Sequence, residues 1–122
     1  MPLLAINTNQ PLAADQQAEL ISKASSLVAG ILGKSERYVM VLLRENLPMI
    51  FSGNDEPCAY IELKSIGLPT DNTREFSKQL CEFITTTTGI TADRICIVFS
   101  GAERHLRGWN STTFQQTGLR RV

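Results

Sequence analysis

The sequence lacks an excess of either charge, since twelve Lys and Arg residues offset twelve Asp and Glu residues in a chain of 122. Nucleic-acid-binding proteins normally carry a basic excess, so this balance argues against a nucleic-acid partner. The sequence also lacks any apolar run near the roughly 18–20 residues that span a bilayer. Its N-terminus has neither the basic region nor the long apolar core of a secretory signal. We therefore expect a cytoplasmic protein without a membrane partner.

Cysteine and histidine are scarce as well. The three cysteines, Cys58, Cys81 and Cys96, form no C-x-x-C pair. The single histidine, His105, cannot complete the usual spacing of zinc ligands. An odd number of widely separated thiols does not indicate a disulfide framework. We expect no metal site and free cysteines that behave as small buried apolar residues.

The first half of the chain reads as a strand, a helix and a second strand, at the start of one domain that we expect to span residues 1–122. A short apolar run predicts a strand at residues 3–7. Apolar positions at helical spacing predict a helix over residues 12–32, and Gly33 stands where helices commonly need a left-handed residue. An almost wholly apolar run predicts a buried strand at residues 38–43.

The second half repeats this order. Alternating apolar and polar residues predict a strand with one polar face at residues 59–64. A helical stripe lies between Asn72, predicted to cap the helix with Glu75, and Gly89. Residues 94–99 predict another strand. The halves align at an offset of 56 residues. We predict an α/β fold of the α+β sandwich type, a duplicated β-α-β unit whose four-stranded mixed sheet carries two helices on one face.

The predicted sheet has two apolar faces, and the predicted helices lie on only one of them. The runs at residues 38–43 and 94–99 are apolar at nearly every position, so both of their faces favour burial. Two helices cover only one face. We therefore expect the chain to form an oligomer, with Trp109 and Phe114 as candidates for the contact.

Short runs along the chain carry a recognisable pattern: Met1-Pro2-Leu3 with Asn7-Thr8-Asn9, Gly33-Lys34 and Tyr38, Glu56-Pro57-Cys58-Ala59, Ser65-Ile66-Gly67, Asp93-Arg94, Gly108-Trp109-Asn110 and Thr113-Phe114. Taken together and in order, they resemble the macrophage migration inhibitory factor (MIF) family of the tautomerase superfamily. The resemblance implies a homotrimer whose three sheets enclose a central channel. It leaves residues 115–122 as a C-terminal extension.

The resemblance also implies a chemistry. In that family Met1 is removed, and the exposed Pro2 is the general base of a cofactor-independent keto–enol tautomerase acting on 2-oxo acids such as phenylpyruvate. A free α-amino group titrates at about 7.7–8, and an apolar pocket or a nearby cation lowers its pKa towards the useful range. If Met1 stays on the chain, the nitrogen of Pro2 is a tertiary amide without basicity.

The implied substrate site lies between subunits. By resemblance, Lys34 acts with Pro2, binding the substrate carboxylate or polarising the carbonyl. The backbone N–H of Ile66, next to Ser65, is a hydrogen-bond donor. An aromatic rim that accepts the ring of an aromatic 2-oxo acid consists of Tyr38, Trp109 and Phe114.

Four positions depart from patterns found in the family. Cys96 and Val98 stand where a Tyr and an Asn are usual, which makes this part of the predicted substrate site more apolar. Arg107 stands where the best-known members carry a small apolar residue, and its guanidinium could bind the carboxylate. The thiol-redox motif of some members is missing its second cysteine, because Ile61 occupies that position.

Two alternatives stay open on the sequence. Animal relatives are extracellular cytokines secreted without a leader, so a binding protein with a receptor as its partner and weak or no catalysis is the first. Hydration or dehalogenation of an unsaturated acid by Pro2, with Arg107 holding the carboxylate, is the second.

Overall fold

The computed structural model describes residues 1–115. Six strands and two long helices make up this part of the chain, in the order β1 (Leu3–Thr8), α1 (Ala14–Leu32), β2 (Met40–Arg44), β3 (Ala59–Ile66), α2 (Thr73–Thr88), β4 (Ile95–Ala102), β5 (Gly108–Trp109) and β6 (Thr112–Thr113). The predicted extension, residues 115–122, lies outside the described residues apart from Gln115. Neither helix is long and apolar enough to cross a membrane.

The sheet confirms the duplicated unit. Its strand order is β2-β1-β3-β4. The two strands of each unit are parallel, and the units meet through the antiparallel pair β1 and β3. Both helices end at a glycine in the left-handed region, Gly33 at φ 63° and Gly89 at φ 81°. These caps occupy equivalent positions in the two units, as the 56-residue offset predicts.

The core lies between the sheet and the two helices. One face of each strand packs against α1 and α2, which confirms that both helices cover the same side. The buried residues of this core are Leu4, Ile6, Leu20, Ala24, Val28, Ala59, Ile61, Leu63, Leu68, Phe76, Leu80, Ile84 and Ile90. Full burial of one such aliphatic side chain stabilises the fold by about 1.5–3 kcal/mol, so this layer dominates the stability of the chain.

The opposite sheet face is open in the single chain. Its outer strands expose apolar side chains, with Met40 50% and Val98 44% accessible. Its central strand β3 instead presents Glu62 and Lys64, as the predicted alternation required. Cys96 is exposed on this face, so the expectation that all three cysteines are buried is wrong for it. Cys58 is buried and Cys81 is half-buried.

The first helix starts later than predicted, and the predicted capping pair of the second helix does not form. The first helix begins at Ala14 rather than at residue 12, because the backbone N–H of Leu12 donates to the Glu45 carboxylate at 2.9 Å and holds the chain outside the helix. Asn72 does occupy the position before α2. Its side chain makes no capping hydrogen bond, so the predicted capping pair with Glu75 is wrong.

Candidate active site

The N-terminus enters the protein at the head of a central strand. Pro2 is buried, and its carbonyl accepts a hydrogen bond from the Met40 backbone at 2.9 Å. Because β1 lies between β2 and β3, the residue before it is enclosed on two sides. Met1 is present in this structure, so the free amino group belongs to Met1 and the nitrogen of Pro2 is an amide. The Met1 side chain packs against a second apolar cluster.

That second cluster is aromatic. The Tyr38 ring meets the Trp109 ring edge-on at 5.4 Å and the Phe114 ring edge-on at 6.1 Å. Trp109 and Phe114 stack at 5.6 Å with an angle of 14° between their planes. Ile66 completes the cluster. Phe114 is 0% exposed, so it is the centre of the cluster rather than part of an open rim.

A tight hairpin positions these rings. Trp109 ends β5, and β6 returns antiparallel to it. The two residues between the strands, Asn110 and Ser111, have φ angles of 52° and 64°. Positive φ at both central residues is the requirement of the two-residue turn that matches the twist of a hairpin. After the turn, the Phe114 backbone N–H donates to the Arg107 carbonyl at 3.1 Å.

Lys34 is held between the end of α1 and the end of β3. It follows Gly33, and its own N–H donates to the Ala29 carbonyl at 3.0 Å. Its ammonium donates to the backbone carbonyl of Ile66. The buried hydroxyl of Ser65 donates to the same carbonyl at 3.1 Å. The contacts seen at Ile66 therefore use its carbonyl, while the predicted role of its N–H stays a prediction.

Two arginines join Lys34 around the N-terminus. The predicted Arg107 is half-buried, and its Nη1 atom is buried without a hydrogen-bond partner among residues 1–115. The sequence reasoning missed Arg104, whose guanidinium donates to the Phe114 carbonyl at 3.5 Å. A 3-10 turn spans Arg104–Leu106. Arg107 follows this turn with an extended backbone, so the sequence spacing alone gave no signal for Arg104.

Burial and neighbouring cations lower the pKa values of groups in this site. The pKa of the Met1 amino group is lowered from 8.0 to about 5, first by burial and then by the charges of Lys34, Arg107 and Arg104. Burial, with Arg104 second, also lowers the pKa of Lys34. Burial lowers the pKa of Arg107. Each shift has the sign expected when a cation leaves water for an apolar, positively charged environment.

Cys96 and Val98 do not reach this group within one chain. They pair with Tyr60 and Glu62 of β3, and β3 lies between them and β1, so they are two strand spacings away from β1. Along the strand direction they also lie several residues away from Pro2. Strand geometry puts them on the order of 15 Å from the N-terminus. They join a site at Pro2 only if it belongs to another copy of the chain.

Part of the recognisable sequence pattern has a structural purpose. The Thr8 hydroxyl donates to the Cys58 carbonyl at 2.8 Å, and the Asn9 side chain accepts from the Cys58 N–H at 3.0 Å. The Asn7 amide donates to the Tyr60 carbonyl at 3.1 Å. These contacts tie the end of β1 to the start of β3. The Asn7-Thr8-Asn9 run therefore closes the long connection between the two units.

The site contains a half-buried amine of low basicity, three cations and a cluster of aromatic rings. An amine with a pKa of about 5 is neutral near pH 7, so it can accept a proton. Cations next to it bind and polarise anionic or carbonyl oxygens. Across residues 1–115, no three His, Cys, Asp or Glu side chains come together as metal ligands.

Comparisons with known proteins agree with this architecture. The family model described as macrophage migration inhibitory factor (MIF) matches residues 1–115. The macrophage migration inhibitory factor of Mus musculus is 33% identical over 115 residues, which is 93% of this chain and 99% of the relative. The crystal structure of a homologue from Prochlorococcus marinus matches at a TM-score of 0.87 and 45% identity, covering 92% of this chain and 98% of that one. The structure of the macrophage migration inhibitory factor from Trichinella spiralis matches at a TM-score of 0.85 and 32% identity, covering 92% of this chain and 99% of that one.

Proposed function

The chain belongs to the macrophage migration inhibitory factor family, and from this premise we propose that it is a cofactor-independent keto–enol tautomerase of 2-oxo acids. The observation that carries the proposal is the state of the N-terminus. Its amino group has a pKa lowered to about 5 and is flanked by cations, next to an aromatic cluster. A neutral amine in such a place is suited to take up a proton from carbon.

The proposed base is the nitrogen of Pro2 after removal of Met1. Removal moves the free amine by one residue, about 3.8 Å, into the position that is already buried. The same burial and the same three cations then lower its pKa. In the ketonisation direction Pro2 takes the proton of the enol hydroxyl, and the protonated Pro2 then gives a proton to the carbon next to the carbonyl, which regenerates the neutral base. In the reverse direction the carbon proton is removed and the carbonyl oxygen gains one.

Lys34 is the proposed electrophilic partner of this base. Its ammonium makes one hydrogen bond to the Ile66 carbonyl, which aims it and leaves two of its three N–H bonds for a substrate. A cation next to the substrate oxygen stabilises the negative charge that develops on it in the transition state. Tyr38 and Trp109, both half-buried, are the proposed apolar contacts for the rest of the substrate.

The low pKa favours tautomerisation over hydration or dehalogenation of an unsaturated acid. Addition of water to such an acid requires a proton donor for the carbon next to the carboxylate. A Pro2 amine whose pKa is lowered by the same burial and cations starts the reaction mainly unprotonated, without a proton to donate. The same amine is available as a base without prior deprotonation, which is what tautomerisation needs.

We also propose that the active protein is a homotrimer with its sites between subunits. The open sheet face, with Met40 and Val98 exposed on its outer strands, supports this. So does the separation of Cys96 and Val98 from Pro2 in one chain, since a neighbouring copy can bring them to the site. Sedimentation equilibrium should give three times the 13.5 kDa of one chain. A monomer at the concentration of the activity assay would contradict the shared site.

The catalytic proposal is tested by the ultraviolet decay of phenylenolpyruvate. Wild-type protein is compared with Pro2→Ala and with Pro11→Ala, a control at an exposed proline, after intact mass has confirmed that Met1 is absent. A positioned general base contributes about 10²–10⁴ in rate, so Pro2→Ala should lose most of that factor. Protein that retains Met1 should be equally poor. An unchanged rate in Pro2→Ala would refute the assignment of the base.

A further inference from the structure

The chain is neutral overall, yet cations collect at one end of the sheet. Lys34 and Arg107 both act on the N-terminal amine, and they come from different parts of the chain. Lys34 follows α1, whereas Arg107 precedes β5. The sequence as a whole has equal numbers of acidic and basic residues, so this gathering is a local feature that attracts anions.

Arg107 holds a donor that nothing among residues 1–115 uses. Its Nη1 atom is buried without a hydrogen-bond partner. A buried donor of a charged group is costly to leave unpaired, and a guanidinium fork fits a carboxylate with two parallel hydrogen bonds. This arrangement is therefore built for an anionic ligand that the N-terminal site receives.

Lys34 and Arg107 have separate positions around the amine. The ammonium of Lys34 is fixed on the Ile66 carbonyl at the end of β3. Arg107 is fixed by its backbone, which accepts a hydrogen bond from Phe114 at 3.1 Å. One carboxylate needs only one such cation.

The aromatic cluster is also less open than a ring-binding pocket requires. Phe114 is 0% exposed, and Trp109 stacks on it at 5.6 Å. Tyr38 directs its ring edge-on at both of them. Phe114 therefore offers no face to a substrate ring, and only the half-buried Tyr38 and Trp109 remain to contact one.

We propose that the substrate of this site is a 2-oxo acid with a second carboxylate, and that Arg107 binds this second carboxylate while Lys34 serves the 2-oxo acid end. Arg107 is then the residue that determines specificity for dicarboxylates. The inference rests on the proposed tautomerase function and adds a substrate class to it.

The test compares two enols as probes, phenylenolpyruvate with one carboxylate and the enol of oxaloacetate with two. Wild type, Arg107→Gln, Arg107→Lys and Arg74→Gln are assayed, the last as a control because Arg74 is an exposed arginine on α2. We expect wild type to have a kcat/KM at least tenfold higher for the dicarboxylate. Arg107→Gln should lower that value about 10- to 100-fold, the range of a charge-assisted hydrogen bond to a buried group.

The two substrates separate the possible failures. Under the proposal, Arg107→Gln lowers the ratio of kcat/KM for the dicarboxylate to kcat/KM for phenylenolpyruvate, and Arg107→Lys recovers part of that ratio. Circular dichroism spectra that match wild type show that both variants fold. Equal losses on both enols would mean that Arg107 binds the carboxylate they share, and would overturn the inference. Turnover of phenylenolpyruvate without preference for the dicarboxylate would overturn the inference and leave the tautomerase proposal standing. Turnover of neither enol would overturn both.

Discussion

The pH dependence of the proposed base is the most direct consequence of the site. A base works only when unprotonated, so kcat/KM should be constant at high pH and fall as the pH drops through the pKa of the free amine. Burial and the three cations lower the pKa of the Met1 amine from 8.0 to about 5, and the same causes should lower the pKa of the Pro2 amine. At pH 6 a base with a pKa of about 5 is about 90% neutral, whereas one at 8 is about 1% neutral.

Replacing Lys34 by Gln tests the cause of this shift. The substitution removes one of the three cations that lower the amine pKa but leaves burial, which is the largest cause. The pKa should therefore rise, yet stay below 8.0. Protonation alone can then lower the rate at pH 6 by no more than about a hundredfold, which is the difference between a base with a pKa of about 5 and one with a pKa of 8. Loss of Lys34 as a substrate contact lowers the whole profile but does not move its midpoint.

The assay is the profile of kcat/KM against pH for phenylenolpyruvate, because kcat/KM reports the ionisation of the free enzyme. Lys78→Gln, at an exposed lysine on α2, is the charge-matched control and should keep the wild-type midpoint. A wild-type midpoint near 8, or a Lys34→Gln midpoint that does not move or moves down, would refute the argument that burial and neighbouring cations tune this amine.

Two further predictions concern stability. Phe114→Ala should lower the free energy of unfolding by about 3–5 kcal/mol in urea denaturation, because the ring is fully buried, and Phe114→Leu should lose clearly less. Equal losses would mean that an aliphatic side chain restores none of the stability, which would contradict buried apolar volume as the cause. Gly33→Ala should cost about 1–2 kcal/mol, because residue 33 has a φ of 63°. Gly30→Ala, in the exposed helix interior, should instead gain up to about 1 kcal/mol, and a similar sign at both positions would contradict the conformational argument.

Much of the fold was predictable from the sequence because it follows from local periodicity. Spacing of apolar residues distinguishes a helix from a strand, and a glycine after each helix marks its end, so the β-α-β unit and its repeat could be read without coordinates. The need to cover a second sheet face also followed from apolar outer strands. Pro2 and Lys34 became candidates through the family resemblance and not through any pattern of spacing.

Only the tertiary structure determined which groups the side chains contact. The sequence does not say that the Lys34 ammonium meets the Ile66 carbonyl, that Phe114 is the buried centre of its cluster, or that Arg104 joins Arg107 at the N-terminus. Segments far apart in the chain create these contacts. Local pattern therefore determined which elements form, whereas burial, charge and pKa at the site depend on which elements the fold brings together, since desolvation and Coulomb interactions act through space.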